Sequence, residues 1–220
     1  MIKERMKKKL LIFDLDGTLV DSGDDIARAA NKTLEAMGYA TLSIETVKKS
    51  IGWGVKMLLE GLMPNEGEEG LMEAREKFLR FYGEHLTEDT YIYPGVTDTL
   101  TYFRNSGKTM AVVTNKPEGL SRRVIDELGL SGFFMMLIGG DTLRNRKPHP
   151  EPLERVMAET GFSTTETIFV GDSPVDSETG KNAGVFTIGV SYGFRDIKEL
   201  LSSDFNLIID RFSELRAYLD

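Results

Sequence analysis

The sequence predicts an α/β fold, a doubly wound parallel sheet with an α-helical domain inserted near its start. Three observations carry that prediction. From about residue 91 onward, short apolar runs that suit strands alternate with stretches of helical spacing, the pattern of a parallel sheet with helices on both faces. The first apolar run, Leu10-Leu11-Ile12-Phe13, is short enough for a strand buried on both sides. Between Val20 and about Tyr91 there is helical periodicity and no strand, far more chain than the roughly 30 residues of a βαβ unit.

Each element follows in order. After Ser22, residues Ile26, Ala29, Ala30, Thr33, Leu34 and Met37 recur at helical spacing and Gly38 stops them. Ser43 is placed to cap a second helix through Val47 to Ile51, and Gly52-Trp53-Gly54 breaks it. Val55 to Leu62 reads as a third helix. Leu71, Ala74, Phe78, Phe81, Tyr82 and His85 mark a long fourth one. Residues 21–90 thus form a predicted helical cap domain. Residues 1–20 and 91–220 form the core, re-entered through Tyr91-Ile92-Tyr93-Pro94-Gly95. In the core, strands are expected over Thr109–Val113, Met135–Ile138, Thr167–Val170, Val185–Val190 and Leu207–Ile209. The helices between and after them are Val96–Phe103, Leu120–Leu128, Pro152–Thr160, Ser177–Ala183, Ile197–Leu201 and Phe212–Leu219.

Composition narrows the function classes. The chain has 220 residues, a net charge of −8 and 40% hydrophobic residues, which suits a soluble globular protein and argues against a nucleic-acid surface. There is no cysteine, so disulfides, thiolate zinc sites and a Cys nucleophile are excluded. With only His85 and His149, a His-rich metal site is excluded too. The basic start, Met1 to Lys9, precedes an apolar run too short for a signal peptide and interrupted by Asp14 and Asp16. It reads as a solvated lead-in. No segment reaches transmembrane length, so the expected location is the cytoplasm, with no membrane and no nucleic acid as partner.

Chemistry concentrates at the strand ends. Asp14 and Asp16 close the first strand, Thr114 and Asn115 follow the second core strand, and Gly171-Asp172 follows Thr167–Val170. Lys147-Pro148 lies between the last two. In a parallel sheet these ends share one edge, where ligands bind. Two acids one residue apart repel unless a proton or a cation relieves them, and Mg²⁺ is the simplest hard cation for oxygen donors. Acids, a hydroxyl and an ammonium around one hollow suit phosphoryl transfer. Each motif alone also fits a bland reading: Asp-x-Asp-Gly as a turn, Thr114-Asn115 as a strand-to-helix turn, Lys147 to Pro152 as a rigid loop. Asp21, Asp24 and Asp25 fit the start of the first cap helix, and Asp141 a turn.

The string Phe13-Asp14-Leu15-Asp16-Gly17-Thr18-Leu19-Val20-Asp21-Ser22 resembles the first motif of the haloacid dehalogenase-like hydrolase superfamily. Thr114, Lys147 and Gly171-Asp172-Ser173-Pro174-Val175-Asp176 match the remaining three motifs in order. The resemblance implies that Asp14 is the nucleophile, forming an aspartyl-phosphate. Asp16 protonates the leaving oxygen and then activates water. Mg²⁺ is held by the Asp14 carboxylate, the Asp16 carbonyl and Asp172. Thr114 and Lys147 grip the phosphoryl group with Asn115 nearby, and Asp176 supports Lys147 or a metal-bound water. An acid at Asp16 favours P–O cleavage, because the expelled alkoxide needs a proton.

Within the cap, Ile51-Gly52-Trp53-Gly54 followed by Met57-Leu58-Leu59 resembles the cap loop of phosphoglycolate phosphatases. It assigns Gly52, Trp53 and Gly54 to substrate binding, with Trp53 as a cap–core packing residue for the alternative. Two departures stand out: Lys48 where an Arg is expected, and Gly180, which is expected to interrupt the helix after the fourth motif. The substrate implied is a small phosphorylated metabolite, 2-phosphoglycolate foremost, handled by a monomer or homodimer. Alternatives of the same fold are a broad-specificity phosphatase for sugar phosphates, nucleotides or pyrophosphate, and a phosphosugar mutase. Outside enzymes, a phospho-accepting signalling domain or a phosphate-binding domain would use similar residues.

Overall fold

A computed structural model describes residues 6–219. Six strands build one parallel sheet: β1 (Leu10–Phe13), β4 (Thr109–Val113), β5 (Met136–Ile138), β6 (Thr167–Gly171), β7 (Phe186–Val190) and β8 (Leu207–Ile209). Their order across the sheet is β5-β4-β1-β6-β7-β8. The chain winds outward from β1 through β4 to β5. It then crosses back over the sheet to β6 and winds the other way, so the order reverses between β1 and β6. Such a reversal opens a crevice at the carboxyl ends of the two strands.

Side-chain alternation along β1 explains why the run is apolar throughout. Leu11 and Phe13 join a layer with Val96, Leu100 and Phe103 of α5 (Val96–Asn105) and Val124 and Ile125 of α6 (Glu118–Glu127). Leu10 and Ile12 face the opposite layer, with Leu153 and Val156 of α7 (Glu151–Thr160) and Ala183 of α8 (Pro174–Ala183). All four strand residues have no exposed surface. Helices α9 (Ile197–Leu201) and α10 (Leu215–Tyr218) complete the core domain.

The inserted region holds four helices: α1 (Gly23–Ala36), α2 (Ile44–Lys48), α3 (Val55–Leu62) and α4 (Glu68–Glu84). α1 packs against both α4 and α2, and α3 against α4. The insertion leaves and rejoins the core through a two-stranded antiparallel ribbon, β2 (Val20–Asp21) and β3 (Tyr91–Ile92), pairing Val20 with Ile92 and Asp21 with Tyr91. Two residues per strand are too few to leave a periodic trace. Beside the ribbon, the buried Asp25 carboxylate accepts from the Asp89 and Thr90 amides and from the Thr90 hydroxyl at 2.6–3.2 Å. It fastens the first helix to the returning chain, more than helping a helix start.

Five expectations are corrected. Gly180 does not interrupt α8, which runs through it; a Cβ there would lie 2.0 Å from Thr187 Cγ2, so the missing side chain lets the helix press on β7. α8 also begins at Pro174 rather than Ser177, because Ser173 and Asp176 form a capping box. The second helix ends at Lys48, short of Ile51. The segment from Phe212 is a 3-10 turn (Phe212–Glu214) followed by α10, rather than one helix. Residues 1–5 of the basic lead-in lie outside the described residues. Lys8 is not solvated: its ammonium donates to the carbonyls of Thr165 and Thr167 at 2.7 and 3.1 Å.

Candidate active site

Asp14 and Asp172 stand at the carboxyl ends of β1 and β6, on the two sides of the crevice where strand order reverses. The parallel register aligns Phe13 with both Val112 and Val170, so the chain leaves three adjacent strands at one level. The Asp14 amide still donates to Val170 O (2.9 Å) and the Thr114 amide to Ile138 O (3.0 Å). The sheet itself therefore fixes the backbone of both residues.

Lys147 reaches into the crevice from the loop before α7. Its ammonium lies 2.8 Å from Asp14 Oδ2 and 2.7 Å from Asp176 Oδ1, and its side chain is 1% exposed. Asp176 also accepts from the Ser173 amide and hydroxyl, so the capping box of α8 holds it towards Lys147. Ligand oxygens of Asp14, Asp172 and Asp176 all lie within 4.8 Å of one another. Burial, with Asp176 adding a like charge, pushes the Asp14 carboxyl up to about 7 despite Lys147. Burial, then Asp176 and Asp14, pushes Asp172 well above the carboxylate range. One ammonium among three buried carboxyls leaves the hollow short of positive charge, and a hard divalent cation fits these all-oxygen donors.

The turn after β1 is shaped around that hollow. Gly17 has φ +81°, and a Cβ on it would lie 2.2 Å from Asp172 Oδ2. Only glycine allows both the left-handed turn and the close approach. On its other side Asp172 meets Gly193, and Oδ2 accepts from the Phe194 amide at 2.8 Å.

The Asp16 carboxylate stands outside this group of three acids and has partners of its own. Ser22 Oγ donates to Oδ1 (2.6 Å), and the Lys116 ammonium donates to both oxygens (3.0 and 3.2 Å). Lys116 also donates to the hydroxyl of Tyr82, on α4, and lies 4.3 Å from the centre of its ring. Burial draws the Lys116 ammonium down from its usual range, against the pull of Asp16.

A cavity of about 40 Å³ lies between cap and core, lined by Asp14, Asp16, Thr114, Asn115 and Lys116 from the core and by Gly52, Gly54 and apolar side chains of the cap. Asn115 Nδ2 donates to Gly52 O and Lys147 O, both at 3.0 Å, leaving the buried Oδ1 without a partner among the described residues. Arg195, from the loop after β7, donates to the carbonyls of Lys49 and Ile51 and so ties the cap loop down from the core.

The structure therefore brings together Asp14, Asp16, Thr114, Asn115, Lys147, Asp172, Asp176, Gly52 and Gly54. Trp53 departs from the expectation. It lines a separate open groove with Met57, Arg146 and His149. Its flanking glycines, at φ +112° and +87°, turn their backbone to the cavity and send the indole outward. Lys48 points elsewhere as well, pairing with Asp24 (3.0 Å) and Asp21 (3.5 Å). Asp141 serves a helix start, accepting from the Glu118 amide at 2.7 Å. Lys116, Tyr82, Arg195 and Gly193 were not expected. Lys116 alone left a local sign, as the third residue of Thr114-Asn115-Lys116 beyond a strand end.

Residues 11–190 match the family model described as haloacid dehalogenase-like hydrolase. A phosphoglycolate phosphatase of Pseudomonas syringae pv. tomato is 38% identical over 213 residues, covering 94% of this chain and 78% of that protein. One from Aquifex aeolicus is 37% identical over 212 residues, covering 96% and 97%. The crystal structure of a predicted phosphoglycolate phosphatase from Haemophilus somnus 129PT superposes with a TM-score of 0.91 at 30% identity, covering 96% of this chain and 97% of the other. The chain belongs to the haloacid dehalogenase-like hydrolase family, and within it to the phosphatases. Among the described residues no helix is long and apolar enough to cross a membrane.

Proposed function

We propose that the chain is a Mg²⁺-dependent phosphomonoester hydrolase acting through an aspartyl-phosphate on a small phosphorylated metabolite, 2-phosphoglycolate foremost. The observation that carries the reading is Lys147 between Asp14 and Asp176, with Asp172 close enough to share a cation with Asp14. Asp14 attacks phosphorus and the ester oxygen leaves. Lys147 and Thr114 hold the phosphoryl oxygens in the crevice. Asp16 gives its proton to the departing alkoxide, then takes one from the water that cleaves the acyl phosphate. The carboxylates of Asp14 and Asp172 and the carbonyl of Asp16 would hold Mg²⁺, which supplies charge neutralisation for an anion attacking an anion.

Residues 21–90 act as the cap domain. Cap and core are joined through the β2–β3 ribbon, the hinge about which the cap would open to admit substrate. The relatives' names favour 2-phosphoglycolate over sugar phosphates and nucleotides. A cytoplasmic monomer or homodimer suits such a substrate.

The test is phosphate release from a panel of esters with and without Mg²⁺, for the wild type and for Asp14→Asn and Asp16→Asn. Mg²⁺-dependent release with 2-phosphoglycolate as the preferred ester, lost in both folded variants, is expected. No release from any ester would favour a signalling or phosphate-binding role instead.

A further inference from the structure

We propose that Lys116, with the Tyr82 hydroxyl, is the subsite that reads a carboxylate on the leaving group, so that the site selects phosphoesters whose carboxylate stands one carbon from the ester oxygen. This rests on the phosphatase reading above.

The cavity has two kinds of wall. On the core side stand Asp14, Asp16 and Thr114. On the cap side stand the apolar side chains of Ile51, Val55, Leu58 and Phe78, with the backbone of Gly52 and Gly54 and the Tyr82 hydroxyl as the polar groups between them. A sugar or nucleoside leaving group would bring several hydroxyls against these mostly apolar side chains, more than the few polar groups there can pair. A small leaving group with one charged end needs only one polar receptor.

Among the described residues lining the cavity, Lys116 is the one cation. Lys147 is committed to Asp14 and Asp176, and Lys48 to Asp21 and Asp24 outside the cavity. The Lys116 ammonium sits 3.0 Å from Asp16, the group that faces the ester oxygen in the proposed reaction. In 2-phosphoglycolate a single methylene separates that oxygen from the carboxylate, so a carboxylate next to the ester oxygen falls beside this ammonium. The Tyr82 hydroxyl, from the cap, accepts from the Lys116 ammonium and so holds it at the cavity, leaving its own O–H to donate to a substrate carboxylate; the subsite is complete only when cap and core are together. Asp16 keeps Ser22 as a partner when Lys116 turns to a substrate carboxylate.

The experiment compares kcat/KM for 2-phosphoglycolate with that for 2-hydroxyethyl phosphate, which replaces the carboxylate by a neutral alcohol. It uses the full chain with Mg²⁺ for the wild type, Lys116→Met and Tyr82→Phe. The wild type is expected to prefer 2-phosphoglycolate. Lys116→Met is expected to cut that preference roughly tenfold to a hundredfold, as loss of a charge-assisted hydrogen bond does. Tyr82→Phe is expected to cut it severalfold, mainly through KM, and supplies the test if Lys116→Met does not fold. An equal fall for both esters would reduce Lys116 to a support for Asp16 and overturn the assignment. A wild type that hydrolyses both esters equally would overturn it while leaving the phosphatase reading in place. A wild type that releases phosphate from no ester would overturn both.

Discussion

Lys147 Nζ lies 2.8 Å from Asp14 Oδ2 in a pocket that hides both side chains almost completely. The contact spans most of the core sequence, from the end of the first strand to the loop before α7. Its partners are unequal: one ammonium faces Asp14 and Asp176, and Asp172 beside them makes no ion pair among the described residues.

Removing that ammonium is expected to be costly twice over. Lys147→Met leaves buried carboxylates unpaired, which destabilises by about 3–5 kcal/mol where they stay ionised. It also removes a donor from the phosphoryl group, expected to lower kcat/KM at least about a hundredfold. Chemical denaturation and steady-state kinetics of the variant check both. The stability loss should be larger at pH 8 than at pH 5.5, where protonation relieves the acids.

The same acids set the pH response of the metal-free protein. Burial raises Asp14 to about 7 and Asp172 above its ordinary range, compared with about 4 in the unfolded chain. Between those values the folded state binds more protons than the unfolded one, so stability is greatest below pH 4 for these groups and is lost as pH rises to about 7. Mg²⁺ should reverse that loss. The expected result is a larger rise in Tm on adding Mg²⁺ at pH 8 than at pH 5.5, read by thermal melts; equal rises would contradict it.

Gly17→Ala should damage the metal site specifically. A methyl group there meets Asp172 Oδ2 at 2.2 Å and strains a backbone at φ +81°. Gly38 provides the control, with φ +80° and nothing within 4 Å of the place its methyl group would take. Both variants should lose roughly 1–3 kcal/mol to strain. Only Gly17→Ala should also weaken the response to Mg²⁺, measured by titration calorimetry.

Arg195→Met should loosen the cap loop. The guanidinium donates to the Lys49 and Ile51 carbonyls across the cap–core boundary. Faster amide hydrogen exchange over residues 49–54 is expected, with KM raised more than kcat is lowered. Unchanged exchange there would show that the loop is held by other contacts.

What the sequence revealed follows from which contacts the sheet makes on its own. Asp14, Thr114 and Asp172 each follow an apolar strand, and parallel pairing in register brings such ends together without further instruction. Lys116 and Asp16 are 100 residues apart, and Arg195 and Ile51 are 144 apart. The first joins the loops after two neighbouring strands and the second depends on how the cap sits on the core, and no local pattern encodes either. Tyr82 fell on the apolar stripe of α4, and helical periodicity does not separate a face buried in the core from one turned to a site. Trp53 failed for a related reason: a Gly-x-Gly loop announces a turn, and the side on which its middle residue emerges is set by backbone angles.

The most direct measurement is the mass of the Asp14-containing peptide after brief reaction of the wild type with Mg²⁺ and 2-phosphoglycolate, quenched in acid. The result expected is one phosphoryl group on Asp14, absent in Asp14→Asn together with all phosphate release. Steady hydrolysis with no phosphoryl group on Asp14, or hydrolysis that survives Asp14→Asn, would contradict a carboxylate nucleophile at the end of β1.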